Sequence, residues 1–274
     1  MTSLVAFLFA RIFRPSILTR RNKHNLPLPK ICHKEITDSD ICNRAVFVIG
    51  DVHGCCEEMC ELIDKAKEVE KDILFIFVGD LVNKGPNSVG VIRTIRNMGN
   101  SAFSVRGNHD ESALREIRNL ERDPDNYEPP KQYSWIRNLN TEDINYLSEL
   151  PYTISLPSLH AIIVHAGLVP GKPLEIQHLN DMTNMRNVVE EYDHFHGKKL
   201  IGYRHTDKGV AWIEAWPGPD QVYFGHDARR LLQRSEYATG LDTGCVYGGH
   251  MSGVFINKSR TLLTVKSRQK CNWS

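Results

Sequence analysis

Three glycine-flanked turns in the first half of the chain carry side chains able to ligate a metal or move a proton. Gly50-Asp51-Val52-His53-Gly54 offers a carboxylate and an imidazole two residues apart. A bend between its glycines lets both face one point, and the pair suits a divalent transition metal. Gly79-Asp80-Leu81-Val82-Asn83-Lys84-Gly85 adds a second carboxylate and an ammonium able to anchor a phosphate. Gly107-Asn108-His109-Asp110 adds the neutral amide oxygen of Asn108 and, in His109, an imidazole free for acid–base work. Later, His165 in His165-Ala166-Gly167 and His226 in Gly225-His226-Asp227 each close an apolar run. Any one of these turns alone would pass for a surface loop. In this order and at strand ends, they compose the ligand set of a two-metal centre.

The elements that must position these residues follow from the hydrophobic pattern. Residues 45–49, 73–78 and 102–105 are apolar, β-rich runs, each ending at one of the three turns. Between them, Met59, Leu62, Ile63 and Ala66, and then Val89, Ile92 and Ile95, recur at helical spacing. Strand, helix, strand, helix, strand predicts parallel βαβ units. Asp51 to Asp80 is 29 positions (80 − 51) and Asp80 to Asn108 is 28 (108 − 80), close to one βαβ unit of about 30 residues. The three turns therefore belong at one edge of neighbouring strands, where open α/β sheets bind ligands. Residues 110–123 predict a charged helix, 123–131 a loop and 135–150 a helix ended by Pro151. Residues 152–156, 160–164, 222–224, 237–241, 253–256 and 262–265 predict strands, with 257–260 as a hairpin turn. The stretch 167–203 resists assignment. So many strands late in the chain predict a second sheet packed on the first.

Composition sets the outer bounds. The chain has 274 residues, 41% of them hydrophobic, enough for a sizeable core. With 34 Lys and Arg against 33 Asp and Glu the net charge is +1, which argues against a general polyanion binder but leaves room for a local basic pocket. No apolar run reaches the roughly 18 residues of a membrane-spanning helix. Seven cysteines, an odd number without a CxxC pair, suit a reduced intracellular protein. The N-terminus carries Arg11, Arg14, Arg20, Arg21, Lys23, Lys30 and Lys34 and no acid before Glu35, the make-up of a mitochondrial transit peptide or of a solvated tail. The expected location is the cytoplasm, with the mitochondrion as the alternative. The expected division is a basic extension at 1–42, one domain at 43–268 and a tail at 269–274.

The run GDVHG, GDLVNKG, GNHD, HAG, GHD resembles the phosphoprotein-phosphatase branch of the metallophosphoesterases, over about residues 46–265. Position 83 is Asn where protein phosphatases of this branch carry Asp, and position 84 is Lys where they carry Arg. The stretches HAGLVPGKPLEIQHLNDMTNMRN and GLDTGCVYGG are similar to those of the ApaH-like phosphatases, and the second also to bacterial symmetrical diadenosine tetraphosphate hydrolases. The resemblance implies a calcineurin-like α/β sandwich, two packed mixed β-sheets flanked by helices. It implies that Asp51, His53 and Asp80 hold one divalent metal and that Asp80 bridges to a second, held also by Asn108, His165 and His226. A hydroxide between the metals would attack phosphorus in line, with His109 as general acid and Lys84 and Arg186 on the phosphate oxygens. Manganese is the first expectation, with zinc, iron and magnesium as alternatives. The implied substrates hold phosphoanhydride bonds: dinucleoside polyphosphates, 5′-capped RNA or polyphosphate. A Ser/Thr protein phosphatase is the alternative enzyme, and a binding scaffold without catalysis is a third reading. No DNA partner and no integral membrane association are expected, and the chain is expected to be a monomer.

Asn83 bears on the substrate. In protein phosphatases the acid at this position orients the catalytic histidine and stabilises its protonated form. Asn83 supplies no charge, so His109 should protonate less readily. A serine alkoxide needs that proton to leave, whereas a phosphate, with a second pKa of about 6, does not. Arg106, just before the third turn, is a candidate for an ion pair or a phosphate contact. Trp135, Trp212, Trp216 and Tyr203 are candidates for core packing or for stacking on a base.

Overall fold

The computed structural model describes residues 21–22, 24–193 and 197–268. Residues 1–20 of the basic extension expected at 1–42, and the tail expected at 269–274, lie outside them. In chain order the first half runs β1 (His33–Glu35), α1 (Asp38–Ile41), β2 (Ala45–Ile49), α2 (Cys56–Val69), β3 (Ile73–Phe77), α3 (Ser88–Asn97), β4 (Ala102–Ser104), α4 (Asn108–Arg122) and α5 (Thr141–Ser148). The second half runs β5 (Thr153–Leu156), β6 (Ala161–Val164), α6 (Leu179–Asn184), β7 (Asn187–Asp193), β8 (Gly197–Tyr203), β9 (Val210–Ala211), α7 (Trp212–Ala215), β10 (Gln221–Phe224), β11 (Gln233–Arg234), β12 (Ala238–Gly240), β13 (His250–Phe255) and β14 (Leu262–Lys266).

Two mixed sheets result. One has the order β14-β13-β2-β3-β4, with β2, β3 and β4 parallel. The other has the order β1-β5-β6-β10-β12-β11, with β6, β10 and β12 parallel. Both faces of β2 and β3 are buried, as their unbroken apolar runs require. Val46, Val48, Leu74 and Ile76 pack between the sheets against Ile154, Leu156 and Ile163. Their alternating neighbours Phe47, Ile49, Phe75 and Phe77 face the helices, against Met59, Leu62, Val91 and Ile92. The second sheet turns Val164, Val222 and Phe224 outward onto Trp212, Met182 and Met185. The sandwich is the architecture that the motif resemblance implies.

Three expectations change. The folded unit begins before residue 43: β1 pairs with β5, Ile36 is fully buried, and Leu26 joins the helix-side core. Basic composition masked that segment, because its few apolar residues are the ones that insert. The late strands do not form one sheet. β13 and β14 complete the first sheet beside β2, joined through the turn at 257–260. The stretch 135–150 is two pieces, a 3-10 helix (Lys131–Asn138) and α5. Asn140 interrupts them because its side chain caps α5, accepting from the Asp143 N–H. The unassigned stretch contains the hairpin β7–β8, which with β9 makes a small antiparallel ribbon. Among the described residues no helix is long and apolar enough to cross a membrane, and the described cysteines are free thiols.

Candidate active site

Six strand ends point their first loop residues to one place. Asp51 follows β2, Asp80 follows β3, and Asn108 opens α4 after β4; His165 follows β6, His226 follows β10 and Asp242 follows β12. All are buried or nearly so. Asp80, Asn108, His226 and Asp242 line a cavity of about 520 Å³, within the range of about 300–1,000 Å³ common for small-molecule sites, and Asp51 and His165 are buried next to them. Tight backbone packing holds the turns in place. Val52 and His53 donate their N–H groups to Asp80 O at 3.2 and 2.7 Å, and Gly54 donates to Leu81 O at 2.9 Å. His53, Asp80, Asn83, Lys84 and His226 all have left-handed φ, between 47° and 74°. Such conformations cost about 1–3 kcal/mol each and persist where the surroundings over-determine them. Two glycines are required by close approach: a Cβ at Gly107 would strike the Asp80 carboxylate, and one at Gly225 the Asp51 carboxylate.

The histidines show what the floor can hold. His165 Nδ1 lies 2.9 Å from Val78 O, His226 Nε2 lies 3.0 Å from Asn184 O, and His53 Nδ1 lies 3.3 Å from Val82 O. Donating those N–H groups to carbonyls leaves the other ring nitrogen of each with a lone pair turned toward the floor, the way metal-ligating imidazoles are held. At His165 and His226 the lone pair meets another acceptor, whereas that of His53 also faces the Lys84 ammonium. Asn108 Oδ1 is 3.0 Å from His165 Nε2 and 2.9 Å from His226 Nδ1. His165 Nε2 is 3.5 Å from Asp80 Oδ1; His53 Nε2 is 3.5 Å from Asp80 Oδ2 and 3.8 Å from Asp51 Oδ2. Acceptors facing acceptors repel unless a cation lies between them, so the donor set fits divalent metal ions. Two ligand groups share Asp80: His53 and His109 on one side, His165 and His226 on the other.

Electrostatics agree. Burial pushes Asp80 up to about 6. Burial, then the charges of Asp242 and Asp80, pushes Asp51 up, and burial pushes Asp242 up. Burial lowers His165 to about 4 and also lowers His53 and His226, which keeps them neutral, the form a metal requires.

His109 sits beside this floor. Its backbone N–H donates to Asp80 Oδ1 at 2.8 Å, and its Nδ1 lies 3.3 Å from Asn83 Nδ2. Burial, then Lys84, lowers it to about 3. The structure thus brings Asn83 to the histidine. Asn83 Oδ1 is buried without a hydrogen-bond partner among the described residues. Lys84 Nζ is 3.0 Å from His53 Nε2 and 5.2 Å from the Tyr247 ring centroid. Arg186 lines the cavity, held by Asp227 Oδ1 at 3.3 Å and by the carbonyls of Arg204 and His226. Arg106 is not at the cavity. It is buried, donating to Ser148 O, 5.2 Å from the Tyr152 ring centroid. Trp212 is core, and none of Trp135, Trp216 and Tyr203 lines the cavity.

Four contributors escaped the motif reading. Asp242 had a signal, since Gly240-Leu241-Asp242 repeats the strand-end glycine and acid of the first two turns. Asp110 ties the second turn to the third, accepting from Leu81 N at 3.0 Å and Gly107 N at 2.8 Å; burial, then Asp80, pushes it up to about 7. Arg204 and Arg229 line the cavity mouth and carry no motif at all.

A two-sheet sandwich with an Asp, Asn and His set at its strand ends defines the metallophosphoesterase class. The model of the calcineurin-like phosphoesterases matches residues 45–230, and the chain belongs to that family of metal-dependent hydrolases. It is 27% identical to the zinc-dependent endopolyphosphatase of Saccharomyces cerevisiae, over 92% of this chain and 90% of the relative. It is 25% identical to the symmetrical bis(5′-nucleosyl)-tetraphosphatase of Photobacterium profundum, over 76% of this chain and 93% of the relative. A crystal structure provisionally named a diadenosine tetraphosphatase superposes with a TM-score of 0.73 at 33% identity, covering 86% of this chain and 98% of the other. A serine/threonine phosphatase from Saccharomyces cerevisiae, at 15% identity and a TM-score of 0.55, covers 88% of this chain and 84% of the other and shares the fold alone.

Proposed function

We propose that this chain hydrolyses phosphoanhydride bonds in dinucleoside polyphosphates, polyphosphate or 5′-capped RNA. The observation that carries the reading is the set of facing lone pairs around Asp80, walled by Lys84 and Arg186. Asp51, His53 and Asp80 would hold one divalent ion; Asp80, Asn108, His165 and His226 would hold the other. Bound there, the metals supply Lewis acidity toward the phosphoryl oxygens and activate water. Lys84 and Arg186 bind and orient the phosphate oxygens, Lys84 as a point charge and Arg186 as a planar fork. With Asn83 donating to Nδ1, neutral His109 carries its proton on Nε2, from which it donates a hydrogen bond to the leaving oxygen; outright proton transfer requires His109 to be protonated first.

The anhydride is favoured over the phosphoserine ester by position 83. His109 is hard to protonate in this setting, and a departing phosphate needs the least help. The names of the yeast and Photobacterium relatives support the same substrates. The test is a panel on metal-loaded protein: diadenosine tetraphosphate, polyphosphate, capped RNA and a phosphoserine peptide. The expected result is a higher kcat/KM on at least one anhydride than on the peptide. A preference for the peptide would overturn the reading.

A further inference from the structure

Beyond Lys84 and Arg186, the mouth of the cavity carries two more cations. Arg204 follows the last residue of β8, and Arg229 stands three residues after His226. Both are exposed. Among the described residues neither has a carboxylate partner. The nearby acid, Asp227, is taken: Oδ1 lies 3.3 Å from Arg186 Nε and Oδ2 lies 2.6 Å from Arg230 Nη1. Backbone geometry fixes the cluster. Arg186 N donates to Tyr203 O at 2.9 Å, and Arg186 Nη1 donates to Arg204 O at 3.1 Å, so the base of the β7–β8 hairpin holds Arg204 beside Arg186, and both line the cavity with Arg229. Burial disfavours the charged form of Arg186; Asp227 opposes that, and the charges of Arg229 and Arg204 add to it more weakly. Arginine nevertheless stays charged in proteins. A like-charge cluster without its own anions is unfavourable in the free protein and is relieved by an anionic ligand.

We infer that Arg204 and Arg229 form a second anion subsite, which grips a phosphate linked to the one held by Lys84 and Arg186. The subsite rests on the phosphoanhydride reading for its role and names the substrate class more narrowly: a linear chain of phosphates, with the bond to be cut over the floor and the distal phosphate at the rim. Arginine matches phosphate in a bidentate fork, so the gain comes from a second phosphate and a single-phosphate ligand misses it.

Binding can be read without turnover. Metal-loaded protein is titrated calorimetrically with a methylene-bridged triphosphate and, separately, with inorganic phosphate. The expected wild-type result is binding of the triphosphate analogue tighter by about tenfold or more, the scale of one good charge-assisted contact. In Arg204→Gln/Arg229→Gln that gap should shrink to about threefold or less; Arg204→Lys/Arg229→Lys should keep part of it. Arg137→Gln, which removes an exposed arginine paired with Glu128, is the charge control and should keep all of it. An unchanged gap in the Gln double variant, or an equal loss for both ligands, overturns the subsite. Wild-type protein that shows the gap but cleaves none of diadenosine tetraphosphate, polyphosphate and capped RNA keeps the subsite and overturns the anhydride reading instead.

Discussion

At the floor of the cavity Asp51, Asp80, His165 and His226 are at most 9% exposed, and hydrogen bonds aim each histidine's remote nitrogen at a backbone carbonyl. At the rim Arg204 and Arg229 are exposed and lack carboxylate partners among the described residues. The floor accumulates negative charge in a desolvated place, which is costly until cations arrive. The rim accumulates positive charge in water, where it costs little and is screened over about 8 Å. Chemistry is therefore fixed by packing at the floor, and selection is left to solvated side chains that can change without disturbing it.

The sharpest way to break that division is at the shared carboxylate. Asp80→Asn removes the charge common to both proposed metals at nearly constant volume. Lewis-acid stabilisation of several kcal/mol corresponds to a loss of about 10³-fold or more in kcat, with metal content falling below two per chain by elemental analysis. Two retained metals with full turnover would remove Asp80 from the bridging role.

His109→Asn should cost about 10²–10⁴-fold on a phosphoester, the usual range for general acid catalysis, and clearly less on diadenosine tetraphosphate. Equal losses on the two substrates would place His109 in binding rather than proton transfer.

Gly225→Ala tests whether the floor tolerates movement. The new Cβ meets the Asp51 carboxylate, so metal affinity should fall about 10–100-fold, as for loss of a group that orients a ligand. Metal titration followed by activity reads it, and unchanged affinity would show that Asp51 can shift freely.

The smallest effect is expected at Asn83→Asp. The unpartnered Oδ1 becomes part of a carboxylate beside His109 Nδ1, which raises the histidine from about 3 and favours its protonated form. The kcat/KM ratio of phosphoserine peptide to diadenosine tetraphosphate should rise several-fold, well inside the span of acid catalysis. A ratio that holds steady or moves toward the anhydride would leave position 83 without influence on the leaving group.

How much of the floor was legible depended on which strands carried it. Asp51, Asp80 and Asn108 end consecutive strands of one sheet, so equal spacing along the chain put them at one edge. His165 and His226 were legible only as strand-end histidines in a known order of motifs. Asp242 also stands at a strand end, but one residue removed from its glycine and inside GLDTGCVYGG, a stretch legible only as a resemblance. The rim had no such grammar. Arg204 stands beside Arg186 because Arg186 bonds across the base of a hairpin, in a stretch with no clear period, and Arg229 reaches the same cavity from the loop after β10.

The sequence by itself determined the βαβ order, the glycines that allow close approach, and the kinds of ligand atom available. Local rules suffice for these, since a strand's apolar run and a turn's backbone freedom are properties of neighbouring residues. Only the tertiary structure decided which lone pairs face one another, which carboxylates lose water together, and that the segment from Leu26 belongs to the core. Those depend on desolvation and on contacts between residues more than a hundred positions apart, such as Asn108 with His226 and Asp51 with His226. No short-range pattern encodes them, because their energy exists only once the two sheets have closed.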